Sequence, residues 1–385
     1  MRKEWGRRVF QVAALTTFLI LGGITIFLFR EALPAIIGSP YEEIRFGVHP
    51  TNPLHALTSS EARALIKGER TWASLGGPHA PLVLVHLGNI ERYLQGPLTT
   101  ADVERCIDSL ADYRGVLFAL PPSLMPTKAK PIRVSWNSVK ELFLSIHWSP
   151  TYEPVPSVGV WPLILGSLWV SFIGLLVVVP LGIAMAVYAV EFLPKHLYYP
   201  LKIMWEMLAG LPSVIVGFWG LVVLVPWIQK VFRLNAGETA LTAGLLLGWM
   251  TLPLMASLVE EALQAIPPLL SESSYGLGAT QWQTILRLKL PYVMPSIVTA
   301  TLLSAGRILG ETMVVLMVSG NAPLLSFTPL APVRTLPATL AAELGEAPVG
   351  SYHYSVLFLL GSILFIVTLL LNIAAYSIRP RHGSA

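Results

Sequence analysis

The 385-residue sequence contains a single cysteine, Cys106, so no disulfide can form within the chain and no cluster of Cys ligands can hold a metal. Charge is scarce as well. Asp, Glu, Lys and Arg together make up 12% of the residues against 54% hydrophobic ones, where a soluble domain carries about 25% charged residues. No Gly-Lys dipeptide occurs anywhere, which excludes a P-loop. The absence of HExxH, GxSxG and paired-Asp patterns disfavours an intramembrane hydrolase. The formal net charge of +4 is not gathered into a basic stripe of the kind that tracks nucleic acid.

What the chain has in excess is long apolar runs. Crossing a bilayer takes roughly 20 residues of helix, and six segments qualify: Phe10 to Phe29, Trp161 to Val190, Ile203 to Ile228, Thr239 to Val259, Tyr292 to Val318 and Ser355 to Tyr376. The first follows the basic stretch MRKEWGRR. It is longer than the roughly 7 to 15 residues of a signal-peptide core, and FLFREALPAII offers no small-residue cleavage site, which favours a retained signal anchor.

Orientation follows from Lys and Arg near the membrane ends. Arg2, Lys3, Arg7, Arg8, Lys195, Lys202, Arg287, Lys289, Arg379 and Arg381 fall on one side, and only Lys230, Arg233 and Arg334 on the other, leaving aside the long first loop. Both termini are therefore expected in the cytoplasm. The expected architecture is an all-α membrane protein of six transmembrane helices. Residues 1–30 form an N-terminal helix, 31–160 an extracytoplasmic insertion, and 161–385 a core of five helices with a cytoplasmic loop at about 260–291.

The fifth run contains SAGRILGETM, which places Arg307 and Glu311 in otherwise apolar sequence. Counting about 1.5 Å per residue from Tyr292, Arg307 lies roughly 22 Å along the helix, near or just past the bilayer centre. A charge there costs about 2.5 to 3.5 kcal/mol on insertion scales, so it should face a bundle interior or watery cavity and have a partner. Glu311, four residues on, is within reach on the same face. One reading is a neutralised pair that closes the bundle. The other is an anion contact, because the planar guanidinium matches phosphate oxygens and Gly306 and Gly310 let a helix or substrate come close. Glu206 reads as an interfacial carboxylate, Pro212 and Ser213 as a kink, and Glu343 and Glu346 as solvated groups on an extracytoplasmic helix over 335–346.

The cytoplasmic loop holds ESSYGLGATQWQTILRLKLP. Glu272, Ser273 and Ser274 close one short helix, Gly276 and Gly278 supply freedom for a sharp turn, and a Thr280/Gln283 capping box opens a second helix. The spacing Glu-Ser-Ser, three residues, Gly278, nine residues, Leu288, one residue, Leu290-Pro291 resembles the EAA loop of ABC importer permeases, with Ser for both Ala and Leu for Ile. Together with MLAGLPSVIVGFWGL, AGRILGETM and TLPATLAAELGEAPVGSYHYSVLF, it makes roughly two thirds of the chain similar to phosphate ABC transporter permeases of the PstC type, type I importers of MetI-like fold. Val216 departs from the Tyr expected in that family.

The resemblance implies an alternating-access permease that imports inorganic phosphate. Arg307 and Glu311 would lie in its pathway, and Glu272, Ser273, Ser274, Gly278, Leu290 and Pro291 would couple it to an ATPase. It implies a second homologous permease subunit, an ATPase subunit dimer and an extracytoplasmic phosphate-binding protein; no cofactor, metal or nucleic acid is expected. Two alternatives stay open: a permease for sulfate or molybdate, and a phosphate-sensing scaffold that does not transport.

Within the first loop, about 57–136 reads as a small soluble α/β lobe. LTSSEARALIKGE has a Thr58/Glu61 capping box and a Gly68 stop, PLVLVH, GVLFAL and IRVSW read as strands, and TTADVERCIDSLADY reads as a helix. SEARALIKGERTWASLGGPHAPLVLVH resembles part of a phosphate-type periplasmic binding protein. The following LGNIERYL lacks the Gly- and Ser-rich helix start that holds the oxyanion there. The expectation is a docking or closing surface without an anion site, with Arg63, Arg70 and Arg105 as ordinary surface.

Overall fold

A computed structural model describes residues 2–38, 44–86, 89, 100–151 and 154–378. The chain divides into two compact units, Met1–Val160 with Ala347–Leu359, and Trp161–Glu346 with Leu360–Ala385. The last helix belongs to both.

The first unit begins with helix α1 (Arg2–Ile37) and continues into a mixed α/β layer. Its strands are β1 (Arg45–Val48), β2 (Ala56–Thr58), β3 (Val83–His86), β4 (Val116–Leu120) and β5 (Lys130–Ser135), in the sheet order β2-β5-β1-β4-β3. Helices α2 (Ser59–Ile66), α3 (Thr100–Leu110) and α4 (Ser138–Leu144) intervene and follow. The sequence-predicted lobe starts at residue 57 and so omits β1, the central strand, which runs antiparallel to both β4 and β5. Four residues of RFGV are too short a run to show a period of two beside the loop that precedes it.

All five residues of β4 are buried, and they alternate between two cores. Leu117 and Ala119 join Phe46, Leu65 and Trp72 under α2, while Val116, Phe118 and Leu120 join Val85, Ile107 and Ala111 under α3. A strand covered on both faces reads as a continuous apolar run, which is why GVLFAL was legible. The Trp72 indole donates to Gly115 O at 3.0 Å. A Cβ at Gly115 would lie 2.0 Å from Pro81 O, so only glycine fits there. Phe118→Ala is expected to cost this lobe about 3–5 kcal/mol, the range for emptying a buried aromatic site. Thermal unfolding of the full-length protein followed by tryptophan fluorescence reads the loss; an unshifted transition contradicts the two-core packing.

The predicted capping box at the start of α2 is present. Thr58 Oγ1 accepts from Glu61 N, and the Glu61 carboxylate accepts from Thr58 N at 2.8 Å. The Thr58 backbone bond, followed by its hydroxyl bond, holds the Glu61 carboxyl below its usual value. A lowered carboxylate value stabilises at pH above its unfolded pKa and loses that contribution as pH falls through the folded one. Gly68 at φ +76° ends the helix turn. Of LGNIERYL, only Asn89 lies within the described residues.

The second unit is helical: α5 (Trp161–Glu191), α6 (Lys195–Ala209), α7 (Ser213–Trp219), α8 (Val225–Phe232), α9 (Ala240–Gln264), α10 (Pro268–Gly276), α11 (Gln281–Thr284), α12 (Leu290–Tyr292), α13 (Met294–Leu309), α14 (Met313–Val318) and α15 (Leu336–Glu343). Helix α16 (Tyr352–Ile378) is the last described element. Among the described residues, five helical stretches are long and apolar enough to cross a membrane: Ala14–Ile37, Trp161–Glu191, Ser213–Phe232, Ala240–Gln264 and Tyr352–Ile378. The bent pair Gln281–Tyr292 and Met294–Leu309, at 66°, makes a sixth if taken as one span.

Two predicted spans are thereby corrected. The run from Ile203 breaks at Gly210–Pro212, where Pro212 precedes a new helix start at Ser213. The run from Tyr292 to Val318 is interrupted at Gly310–Thr312. The first break falls at the Pro212–Ser213 kink read from the sequence, while the second, at Gly310–Thr312, has no proline to mark it.

Helices α5 and α9 pack closely because glycines line the contact. A Cβ at Gly244 would sit 2.6 Å from Ile173 Cβ, and one at Gly248 would sit 2.9 Å from Gly174 O. Close backbone approach of this kind replaces the hydrophobic driving force that helices lack in lipid.

Candidate functional site

Helix α13 presents two faces. Ile297, Ala300, Ser304 and Ile308 recur at helical spacing and are buried, with Ile297, Ala300 and Ile308 in the core built on α5 and α9. Arg307, beside Ile308, is exposed. It lies 13 residues after Met294, about 20 Å along the helix, and two residues before its end.

Arg307 lines a cavity of about 370 Å³ with Glu206 and Ala209 of α6 and with Met250, Pro253, Leu254 and Ser257 of α9. The cavity thus holds one cation, one anion, one hydroxyl and apolar walls. Among the described residues nothing approaches a Cβ position at Gly306 within 4 Å, so the surface beside Arg307 is open.

Glu311 falls in the break between α13 and α14, with its amide bonded to Ile308 O at 3.2 Å. It lines a narrow cleft with Ser167 and Ser171 of α5, Ile308, Val315 and Thr335. The expected Arg307–Glu311 pairing is not what the structure shows. Among the described residues the two side chains form no ion pair, and they line separate cavities. The i,i+4 argument assumes an unbroken helix, and α13 stops at Leu309.

Glu206, read from the sequence as interfacial, is the carboxylate that shares the Arg307 cavity. Its helix carries Tyr198 and Lys202 at successive four-residue steps before it, and that stripe meets α9. Glu260 of α9 is fully buried; its Oε1 accepts from Lys202 Nζ at 2.9 Å, from Gln264 Nε2 at 3.0 Å and from the Tyr198 hydroxyl. This cluster fastens α6 to α9 and so fixes where Glu206 stands. A four-residue spacing of polar residues, Tyr198, Lys202 and Glu206, was the available signal. Glu343 is likewise not free in solvent: Arg334 Nη1 bonds its carboxylate.

The loop that resembles a coupling loop folds as a helix, turn, helix unit. Helix α10 includes Glu272, Ser273 and Ser274 and extends through Gly276, which is helical; Gly278 alone takes the left-handed turn, at φ +84°. Thr280 and Gln283 form the expected capping box. Ser274 and Thr284 hydroxyls meet at 2.9 Å across the turn. Leu290 and Pro291 sit in α12, after a π-helical turn at Ile285–Lys289. Lys289 Nζ reaches Glu191 Oε1 at 2.6 Å, and Gln281 Nε2 reaches Glu191 O at 3.0 Å, which ties the unit to the end of α5. Leu269, Leu277 and Trp282 stand exposed, Leu277 at 91%.

The second unit joins several helices long and apolar enough to cross a membrane, an arginine on an open face and an exposed helix, turn, helix knob. Residues 178–383 match the family described as binding-protein-dependent transport system inner membrane component. A phosphate transport system permease protein PstC of Mesorhizobium japonicum is 37% identical over 263 residues, 63% of this chain and 80% of that protein. A probable ABC transporter permease protein YqgH of Bacillus subtilis is 36% identical over 230 residues, 60% and 74%. A probable phosphate transport system permease protein PstC of Methanocaldococcus jannaschii is 34% identical over 250 residues, 60% and 79%. The chain belongs to the family of binding-protein-dependent inner membrane transport components and is a PstC-type ABC permease. It is a multi-pass inner-membrane transport subunit and not an enzyme; the ATPase of such a transporter is a separate subunit. The family match begins at residue 178, so the α/β lobe lies outside it.

Proposed function

We propose that this chain forms one half of the pathway by which an ABC importer carries inorganic phosphate into the cytoplasm by alternating access, with both termini cytoplasmic. The observation that carries this reading is Arg307, exposed and without an ion-pair partner among the described residues, on a membrane-embedded helix beside Glu206. A charge facing lipid there is costly, so the face belongs against a second, homologous permease chain, with the anion passing between the two. The names of the relatives support phosphate as the anion.

Glu272 to Gly278, with Leu290 and Pro291, form the contact for one subunit of an ATPase dimer. Movement of the knob passes through Glu191 to α5 and through α12 to α13, the helix that bears Arg307. An extracytoplasmic phosphate-binding protein delivers the substrate.

Glu206 serves as the counter-charge that keeps Arg307 from retaining the anion, since conduction requires binding weak enough to release. Glu206→Gln is expected to lower KM for phosphate while slowing maximal uptake severalfold. A variant with unchanged KM and rate contradicts that role. The reading as a whole is tested by ATP-dependent uptake into proteoliposomes holding the complete transporter. Phosphate uptake that excess sulfate does not suppress supports it. Preferential sulfate uptake makes the chain a permease for another oxyanion, and no uptake with intact phosphate-dependent ATPase regulation makes it a sensing scaffold.

A further inference from the structure

The first unit contains a polar cavity that the pathway does not use. It has a volume of about 460 Å³ and lies between the start of α2 and helix α4, lined among others by Ser59, Ser60, Arg63, Asn137, Lys140 and Glu141. Its lining brings two cations, Arg63 and Lys140, together with one carboxylate and several hydroxyls.

Arg63 is 9% exposed and its Nη2 donates to Glu141 Oε2 at 3.0 Å and to Pro156 O at 2.9 Å. Its Nε is buried and has no hydrogen-bond partner among the described residues. A buried donor left unmatched is costly, the more so on a charged group. Both Glu141 oxygens are engaged, Oε2 by Arg63 Nη2 and Oε1 by the Ser59 hydroxyl at 2.5 Å, and neither meets Arg63 Nε. The Glu61 carboxylate is occupied by the Thr58 amide and hydroxyl.

The first amides of α2, those of Ser59 and Ser60, have no carbonyl to meet within their helix. Lys140 is exposed at the rim. Arg63 and Lys140 against Glu141 leave one positive charge.

We propose that this cavity binds a phosphate-type oxyanion, held by Arg63, Lys140, the Ser60 hydroxyl and the first amides of α2. The site is separate from the Arg307 cavity and reverses the expectation that the lobe carries no anion site. That expectation rests on LGNIERYL, where the resemblance to a binding protein would put one, and on Arg63 as ordinary surface, whereas Arg63 is buried.

The same chemistry has two sources, free phosphate and the phosphate of a lipid headgroup. The second arises because the cavity wall is fastened to the ends of two membrane helices. Ser138 Oγ donates to Gly38 O at 2.8 Å, just past α1, and the Trp136 indole donates to the Tyr352 hydroxyl at 3.2 Å, at the start of α16.

The test uses the full-length chain carrying Arg307→Gln, so that anion binding at the pathway arginine does not contribute. Equilibrium dialysis with labelled inorganic phosphate measures the free ion, and native mass spectrometry from phosphatidylglycerol nanodiscs measures retained lipid. Ser60→Ala with Lys140→Gln removes two donors at exposed positions where folding is not at stake, and an unchanged thermal transition verifies this. The expected result is saturable binding of one of the two ligands that weakens about tenfold or more in the double variant, the loss of charge-assisted hydrogen bonds. Saturable phosphate binding assigns the free ion; lipid retention alone assigns the headgroup. Binding of neither, or binding that the double variant leaves unchanged, overturns the proposal.

Discussion

Replacing Arg307 with Gln is expected to reduce phosphate uptake to about 1% of the wild-type rate or less while the transporter still assembles. Losing the charged partner of a hydrogen-bonded anion costs about 2–5 kcal/mol, and about 1.4 kcal/mol is tenfold in an equilibrium. Gln keeps much of the length and some hydrogen-bonding ability, so it tests the charge and the forked donor set rather than packing. Assembly should survive because Arg307 is exposed within its own subunit and makes no ion pair with a described residue; the buried face of α13 is carried by Ile297, Ala300, Ser304 and Ile308. Uptake at the wild-type rate by an assembled Arg307→Gln transporter removes the residue from the pathway.

The second large effect is expected at Gly278. Its φ of +84° lies in the left-handed region, and no atom lies within 4 Å of the position a Cβ would take. A substitution there is opposed by backbone conformation and not by crowding, which separates Gly278→Val from Gly278→Ala only through the β-branch. With Val, the turn between α10 and α11 must rearrange, and the Ser274–Thr284 contact and the Thr280 capping box go with it. ATP hydrolysis stimulated by the binding protein should fall more than tenfold, an effect of about 1.4 kcal/mol or more, while the isolated ATPase retains its basal rate. Full stimulation in the Gly278→Val transporter contradicts the coupling assignment.

The sequence made some of this legible because the relevant physics is local. Capping boxes at Thr58/Glu61 and Thr280/Gln283 are written in residues three apart, and both are present as read. The turn at Gly278 was legible for the same reason, whereas Gly276, which the sequence reads as part of it, is helical. The apolar runs marked the membrane helices because the bilayer imposes length and composition on every span.

What was not legible depends on where chain segments end or meet. The break at Gly310 moves Glu311 away from Arg307, and periodicity assumes that no such break exists. Glu206 and Arg307 are 101 positions apart in the chain, and only the packing of α6 and α13 beside α9 gives them one cavity. The sequence reads Arg63 as surface, yet it is buried against Glu141, 78 positions later. β1 escaped notice because its pairing with β4 and β5, and not its own four residues, makes it a strand.

The central claim is that the Arg307 cavity lies on the route of the anion. The most direct measurement places a cysteine at Ser257, on the cavity wall, in a chain whose single natural cysteine has been changed by Cys106→Ser. Its reaction with a small anionic thiol reagent is then followed in the complete transporter in liposomes. The account predicts that the reagent reaches the cysteine from water during ATP turnover, and that phosphate slows the reaction while sulfate at equal concentration does not. A cysteine that reacts only with lipid-soluble reagents, or at a rate that phosphate does not change, contradicts it.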